Sequence, residues 1–310
     1  VRIGVFIGEA SGERTSVADL LANARDAEQR GFATGWVPHI PWSLDAMTAT
    51  ALAATVTTRL ELGTAVLPTF PRHPLALGQE ALSVQAAAGG RFTLGIGPSH
   101  PVVIENMYGL SYDKPAARTA EYVEVLQACF ARTGRVQYAG QHYRVDAMLD
   151  VPGGPEVTGV PLLIAALGPK MLELTGRLAD GTVTYWADER AIGEHVAPLI
   201  TASAKAADRP APRVVVGLPV AVVTDVEAAR DRAARLFSAY EAIPTYQRIL
   251  GRGAASSPVD VAIIGTETQV RERLLRFADA GATDLCASVL GLDDDRDASR
   301  LATLDVLTSL

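Results

Sequence analysis

The sequence predicts an α/β protein, a single eight-stranded β/α barrel (a TIM barrel) over residues 1–310, with one insertion after the fourth strand and another before the last helix–strand unit. Three observations predict it. Short apolar strands alternate with helical stretches from one end to the other, and eight strands are found, each with a helix after it. The length of 310 residues suits a barrel of roughly 250 residues plus insertions. Two doubly wound domains would alternate similarly, but they carry a G-x-G-x-x-G turn after an early strand. Gly8-Glu9-Ala10-Ser11-Gly12 lacks that spacing.

Ile3, Val5 and Ile7 form the first strand. Ser16 and Asp19 stand at capping-box spacing before Val17, Leu20, Leu21, Ala24 and Ala27, a helical series ending at Gly31. Trp36 and Val37 mark the second strand and Ala46 to Val56 its helix. Leu60 to Val66 and Leu75 to Ala88 form the third unit, and Phe92 to Ile96 the fourth strand. Pro98 to Pro115 is a long loop, a length that usually marks a functional insertion. Arg118 to Arg132 is helical, Gln137 to Tyr143 a small hairpin turning at Ala139-Gly140, and Pro152 to Pro161 a turn-rich connector.

The alternation resumes with Leu162 to Ala165 (strand), Pro169 to Ala179 (helix), Thr182 to Tyr185 (strand) and Glu189 to Ala207 (helix). Val214 to Val223 is a long apolar strand. Thr224 and Glu227 suggest a capping box for a helix to about Ala242, and Ile243 to Pro258 reads as irregular. Thr266 with Gln269 opens a helix ending at Gly281, followed by the last strand, Asp284 to Leu290, and the last helix, Ala298 to Leu307.

Composition narrows the function. With 48% hydrophobic and 20% charged residues the chain is not disordered. A formal net charge of −7 argues against a nucleic-acid partner, which would favour a basic surplus. Cys129 and Cys286 support neither a disulfide framework nor a structural zinc site, so a reducing, cytoplasmic compartment is expected. No leader-like basic and apolar run opens the sequence, and no window of about 18 apolar residues predicts a membrane span.

Barrel active sites sit at the C-terminal ends of the strands, which turns the strand assignments into a list of candidates. After the second strand come His39, Pro41 and Trp42; after the third, Arg72 and His73; after the fourth, Gly97, Ser99 and His100. The fifth strand ends in Ala165-Ala166-Leu167-Gly168, the sixth in Tyr185-Trp186. His39 and His100 are the candidate proton-handling groups, since an ordinary imidazole titrates near neutrality. Holding a loop carbonyl is the plainer role for His39. His73 suits the positioning of its turn, and His142 and His195 read as surface residues. Gly95-Ile96-Gly97-Pro98-Ser99 and Ala166-Leu167-Gly168-Pro169 both bring backbone N–H groups to the rim, the second at a helix N-terminus, and together favour a phosphorylated ligand. No metal-ligand spacing and no G-x-S-x-G occurs, so no metal is expected and the chemistry points to an organic cofactor.

Gly63-Thr64-Ala65-Val66-Leu67-Pro68, Arg72-His73-Pro74 and Gly90-Arg91-Phe92-Thr93-Leu94-Gly95-Ile96-Gly97-Pro98-Ser99-His100 together resemble the bacterial luciferase-like superfamily. So do Ala165 to Met171, Ala179-Asp180-Gly181 and Asp279 to Asp284. Within it the chain is most similar to the branch using the deazaflavin coenzyme F420. That resemblance implies an oxidoreductase moving a hydride between F420 and a small organic substrate. The ring would rest on a third-strand bulge containing a cis peptide, here Ala65–Val66. Ala166, Leu167 and Gly168 would hold the phosphate, with Gly97, Ser99 and His100 along the tail or rim. His39 matches the family's rim histidine, but Pro38 stands where several members carry an acidic residue. His100 stands where the sugar-phosphate dehydrogenases carry a glutamate, which argues against the same substrate. Trp42 and Trp186 would shape an apolar substrate pocket, and a homodimer is the expected assembly.

Two other readings stay open at this point. One is a monooxygenase of the same superfamily taking reduced FMN from a partner reductase; the other is a non-catalytic barrel that binds a flavin or another ligand. A lyase or isomerase acting on sugar phosphates would need a strand-end lysine or carboxylate pair, and Lys114, Lys170 and Lys205 lie elsewhere.

Overall fold

A computed structural model describes residues 1–9, 14–153 and 159–310. The turn Gly8 to Gly12 and the connector Pro152 to Pro161 therefore fall partly outside the described residues. The first half contains β1 (Arg2–Phe6), α1 (Val17–Arg30), β2 (Thr34–Val37), α2 (Ala46–Ala54), β3 (Glu61–Thr64), β4 (Leu67–Pro68), α3 (Pro74–Ala87), β5 (Phe92–Gly97) and α4 (Pro115–Phe130). A hairpin of β6 (Gly134–Ala139) and β7 (Arg144–Leu149) follows, then β8 (Leu162–Ala165), α5 (Pro169–Leu178), β9 (Gly181–Tyr185), α6 (Glu189–Ala191) and α7 (Ala197–Ala206). The chain ends with β10 (Arg213–Val222), α8 (Val226–Glu241), α9 (Pro244–Leu250), α10 (Pro258–Val261), β11 (Ile263–Gly265), α11 (Glu267–Asp279), β12 (Asp284–Val289) and α12 (Arg296–Thr308).

The parallel ladder runs β1, β2, β3 with β4, β5, β8, β9, β10, β12 and back to β1, closing the eight-stranded barrel that the alternation predicts. β10 is long enough to pair β9 and β12 along its first part and β11 at its far end. Of the three helix starts read from such spacing, Ser16 with Asp19 and Thr266 with Gln269 form capping boxes. The third does not: Asp225 caps α8 by accepting from the Ala228 N–H at 3.0 Å.

Other differences lie at insertions and ends. Pro98 to Pro115 contains a π-helical turn over Val102–Met107. Ile243 to Pro258 is irregular only from Gly251 on, since its first half holds α9. The hairpin pairs Gly134 with Leu149 through Ala139 with Arg144, so its turn lies at 140–143. A π-helical turn, Ile192–Val196, joins α6 to α7. No helix among the described residues is long and apolar enough to cross a membrane.

The barrel interior is layered. At the N-terminal strand ends Arg213 bridges Glu61 at 2.7 Å and Asp284 at 2.6 Å. Above them Trp36, Leu163, Val183, Val215 and Cys286 form an apolar plug. Trp36 fits there because its neighbour is glycine: a Cβ on Gly63 would lie 2.3 Å from the indole. One end is thus sealed, and Phe6, Ala65 and Val66 cover the plug at the other.

Candidate active site

The C-terminal strand ends open onto a cavity of about 600 Å3. Ala65 and Val66 belong to its wall because the β3–β5 register forces a bulge. Gly63 pairs with Thr93 and Leu67 with Ile96, so three residues, 64–66, oppose two, 94–95. Thr64 bridges the gap: its Oγ1 accepts from the Gly95 N–H and donates to the Gly95 carbonyl, both at 2.9 Å. Gly95 has no room for a side chain, as a Cβ would lie 2.0 Å from the Thr64 carbonyl oxygen. Its glycine therefore serves strand approach, and its N–H is already taken. The Ala65–Val66 peptide is cis.

His39 lies just past β2 and lines the cavity. The Ala46 N–H approaches its Nδ1 at 3.5 Å, and Asp45 Oδ2 lies 3.6 Å away. An amide only donates, so Nδ1 is the bare nitrogen and Nε2 carries the proton. Asp45 also caps α2 through the Thr48 N–H and pairs with Arg72. Burial first, then the Arg72 charge, push His39 below the ordinary histidine range, and Asp45 opposes this only in part. The imidazole is consequently neutral at pH 7.

His100 also lines the cavity, and burial lowers its pKa as well. Its Nδ1 is buried with no partner among the described residues, and its ring meets Tyr246 edge-on at 5.1 Å. Trp42, 62% exposed, stands at the mouth. Gly97 and Ser99 line the cavity with Leu167 and Gly168.

Beyond β8, the Ala166 N–H donates to Thr182 Oγ1 at 3.3 Å, and His195 Nε2–H donates to the Leu167 carbonyl at 2.8 Å. Gly168 caps α5 without a side chain. A Cβ on Gly168 would meet nothing within 4 Å, so the space beside it is open. This is a helix N-terminus presented to a cavity, a setting that suits an anion.

Three sequence expectations change here. Trp186 does not line the cavity; it is fully buried among Tyr185, Phe237 and Tyr240. With Val183 in the plug and Tyr185 on the cavity, position 186 falls on the outer face of the strand, and Trp186 packs against α8. Ala166 is buried behind the lining, its amide turned to Thr182. His195 is buried, not a surface residue, and His142 is half-buried with its Nε2 sequestered.

Other residues escaped the sequence reading. Glu9 is buried and is the carboxylate of the lining; applying the strand-end rule to β1 would have found it. Tyr240, Tyr246, Arg248 and Arg252 come from the end of α8 and from α9 with the turn after it, where the sequence reads as irregular.

A family model described as luciferase-like monooxygenase matches residues 1–284. The chain belongs to the luciferase-like monooxygenase family. Among its relatives, a Mycobacterium tuberculosis protein named provisionally as a coenzyme F420-dependent oxidoreductase is 29% identical over 283 residues, covering 88% of this chain and 80% of that one. The F420-dependent glucose-6-phosphate dehydrogenase of Beutenbergia cavernae is 35% identical over 216 residues, covering 65% of this chain and 62% of that one. Among solved structures, a monooxygenase of Streptomyces bottropensis superposes with a TM-score of 0.80 at 19% identity, covering 100% of this chain and 98% of that one. That likeness shows the fold. The luciferase-like barrel accordingly belongs to a family of enzymes acting on small molecules.

Proposed function

We propose that this luciferase-like barrel is an F420-dependent oxidoreductase, transferring a hydride between the deazaflavin and a small organic substrate. The observation that carries the reading is the pairing, on one cavity, of an apolar bulge at Ala65–Val66 with an open, uncapped helix N-terminus at Gly168. A flat ring joined to a phosphate-bearing tail needs both. Relatives named for F420 favour the deazaflavin over FMN.

When bound, the coenzyme supplies or accepts a hydride at C5 of its ring. The protein does the rest. Ala65, Val66 and Phe6 give the ring an apolar support over the Trp36 plug. Gly97 leaves the wall shallow, because a Cβ there would lie 3.0 Å from Ala165 and 3.1 Å from Val66. His39, neutral and with its Nδ1 facing the Ala46 amide, keeps its Nε2–H as a donor that polarises a substrate oxygen. Trp42 and the Tyr240 and Tyr246 rings exclude water from the mouth. Holding ring and substrate together supplies much of the rate enhancement as orientation.

Separate titrations of the apo-protein with F420 and with FMN test the reading. F420 is expected to bind more tightly, and the His39→Ala variant to retain binding while losing turnover. Tighter FMN binding with oxygen-dependent product would replace this reading with the monooxygenase one. Unchanged turnover in His39→Ala would remove the polarising role.

A further inference from the structure

A second groove, of about 560 Å3, lies on the outer surface between α4, α5 and α7. It adjoins the cavity: Ala116 lines both, and along α5 Gly168 and Met171 face the cavity while Lys170 faces the groove. The N-terminus of α5 is therefore the ridge between them.

Lys170, Glu173 and Arg177 all line the groove at spacings of three and four residues, which is one face of a helix. All three are exposed. Among the described residues neither cation has a carboxylate within 4.0 Å, Glu173 included, whereas Arg30, Arg135, Arg190 and Arg230 each pair with one. The opposite side carries the small residues Ala117, Ala120, Ser203 and Ala206, so an extended chain can lie close to both cations. From Lys170 to Arg177 the helix advances about 10 Å.

We propose that this groove binds the oligo-γ-glutamyl tail of the coenzyme after it leaves the phosphate turn at Leu167–Gly168. The proposal rests on the F420 reading. The occupant must be anionic, because the two unpaired charges are positive. It must be narrow and extended, because the opposite wall is formed by small side chains. It must also emerge from the cavity mouth, because the two share Ala116 and the α5 N-terminus. A γ-linked glutamyl chain carried beyond the phosphate meets all three conditions, with one free carboxylate per unit. Glu173, between the cations, opposes it and limits its affinity.

The test is equilibrium binding to the full chain, read by quenching of deazaflavin fluorescence with three ligands. These are the coenzyme with a long tail, the coenzyme without glutamates, and the chromophore without phosphate or tail. At low ionic strength the long-tailed form is expected to bind about two- to fivefold more tightly than the form without glutamates, in line with exposed charge pairs. The gap should shrink in about 0.5 M salt. Arg177→Glu should narrow the gap and Glu173→Gln should widen it; both sites are exposed and lie away from the phosphate turn, and thermal unfolding checks that each variant folds.

Equal binding of the long-tailed and glutamate-free forms overturns the groove while leaving the coenzyme reading intact. So does a gap that Arg177→Glu leaves unchanged, or one abolished by Arg248→Ser with Arg252→Ser, which would put the tail across α9. Binding of none of the three ligands removes both proposals together.

Discussion

His195 Nε2–H donates to the carbonyl oxygen of Leu167 across 2.8 Å, tying the π-helical turn between α6 and α7 to the turn that starts α5. In a trans peptide the carbonyl and the next N–H point in opposite directions. Fixing the Leu167 carbonyl toward His195 therefore aims the Gly168 N–H the other way. A buried residue outside the cavity lining thus sets an amide beside it.

Replacing His195 with phenylalanine keeps much of the ring volume and removes the donor. Leaving the carbonyl without its partner costs about 1–3 kcal/mol, and thermal unfolding should register it. On the F420 reading, affinity for the phosphate-bearing coenzyme should fall about tenfold, the equivalent of 1.4 kcal/mol. Affinity for the chromophore lacking phosphate should stay near its original value. An equal loss for both ligands would show that His195 supports the fold without aiming the amide.

The His39, Asp45 and Arg72 set makes a prediction about pH. The neutral imidazole is the working form, because only a bare Nδ1 accepts the Ala46 N–H and holds the ring, so activity should rise as pH climbs through its pKa and then level off. Because burial and Arg72 hold that pKa below the ordinary histidine range, the acid limb should lie below the range of a free histidine, with little change from pH 7 to 8. Arg72→Gln removes a charge that lowers the pKa and frees Asp45, which raises it, so the limb should move upward. Asp45→Asn should move it downward. Titration of the imidazole by NMR checks both shifts without a known substrate.

The contrast between the two tryptophans assigned to the pocket separates what the sequence shows from what it hides. The alternation of strands and helices carries the barrel, because each apolar run is buried against the next element. The strand-end rule likewise finds His39, Trp42, His100 and Gly168 on one cavity. It fails at Trp186, because nearness to a strand end does not give the face: with Val183 and Tyr185 turned inward, the next position lies on the outer side, against α8. Three-residue β11 is too short to show a period, and it forms only because β10 extends past its other partners. His195 looks like a surface position on a helix, but the wider π-helical turn brings it against the Leu167 carbonyl.

These placements predict opposite consequences for the tryptophans. Trp186→Ala should destabilise the fold by about 3–5 kcal/mol, as for a large core aromatic. Trp42→Ala, at a 62% exposed position, should change stability by no more than about 0.5 kcal/mol while weakening substrate binding. Chemical denaturation of the two variants decides it. A small loss at Trp186 would mean that the side chain is not packed between β9 and α8.

Far from the cavity, Glu28 at the end of α1 fixes the approach to β3. Its carboxylate accepts the backbone N–H groups of Thr58, Arg59 and Leu60 at 2.8, 2.7 and 2.9 Å. Desolvation works to raise its pKa, but the amides of Leu60, Arg59 and Thr58 prevail and bring it down to about 2, from 4.5. A carboxylate whose pKa is lower when folded stabilises the protein above its unfolded value, and the contribution disappears as pH falls through the folded one. The full shift would correspond to about 3 kcal/mol at 1.36 kcal/mol per unit. Partial solvent access reduces that to about 2 kcal/mol. Glu28→Gln should therefore be about 2 kcal/mol less stable than the original chain at pH 7, with the difference closing between pH 4.5 and 2. Urea unfolding across that range measures it. A difference that persists unchanged at pH 2 would assign the effect to packing of the side chain, not to its charge-assisted hydrogen bonds.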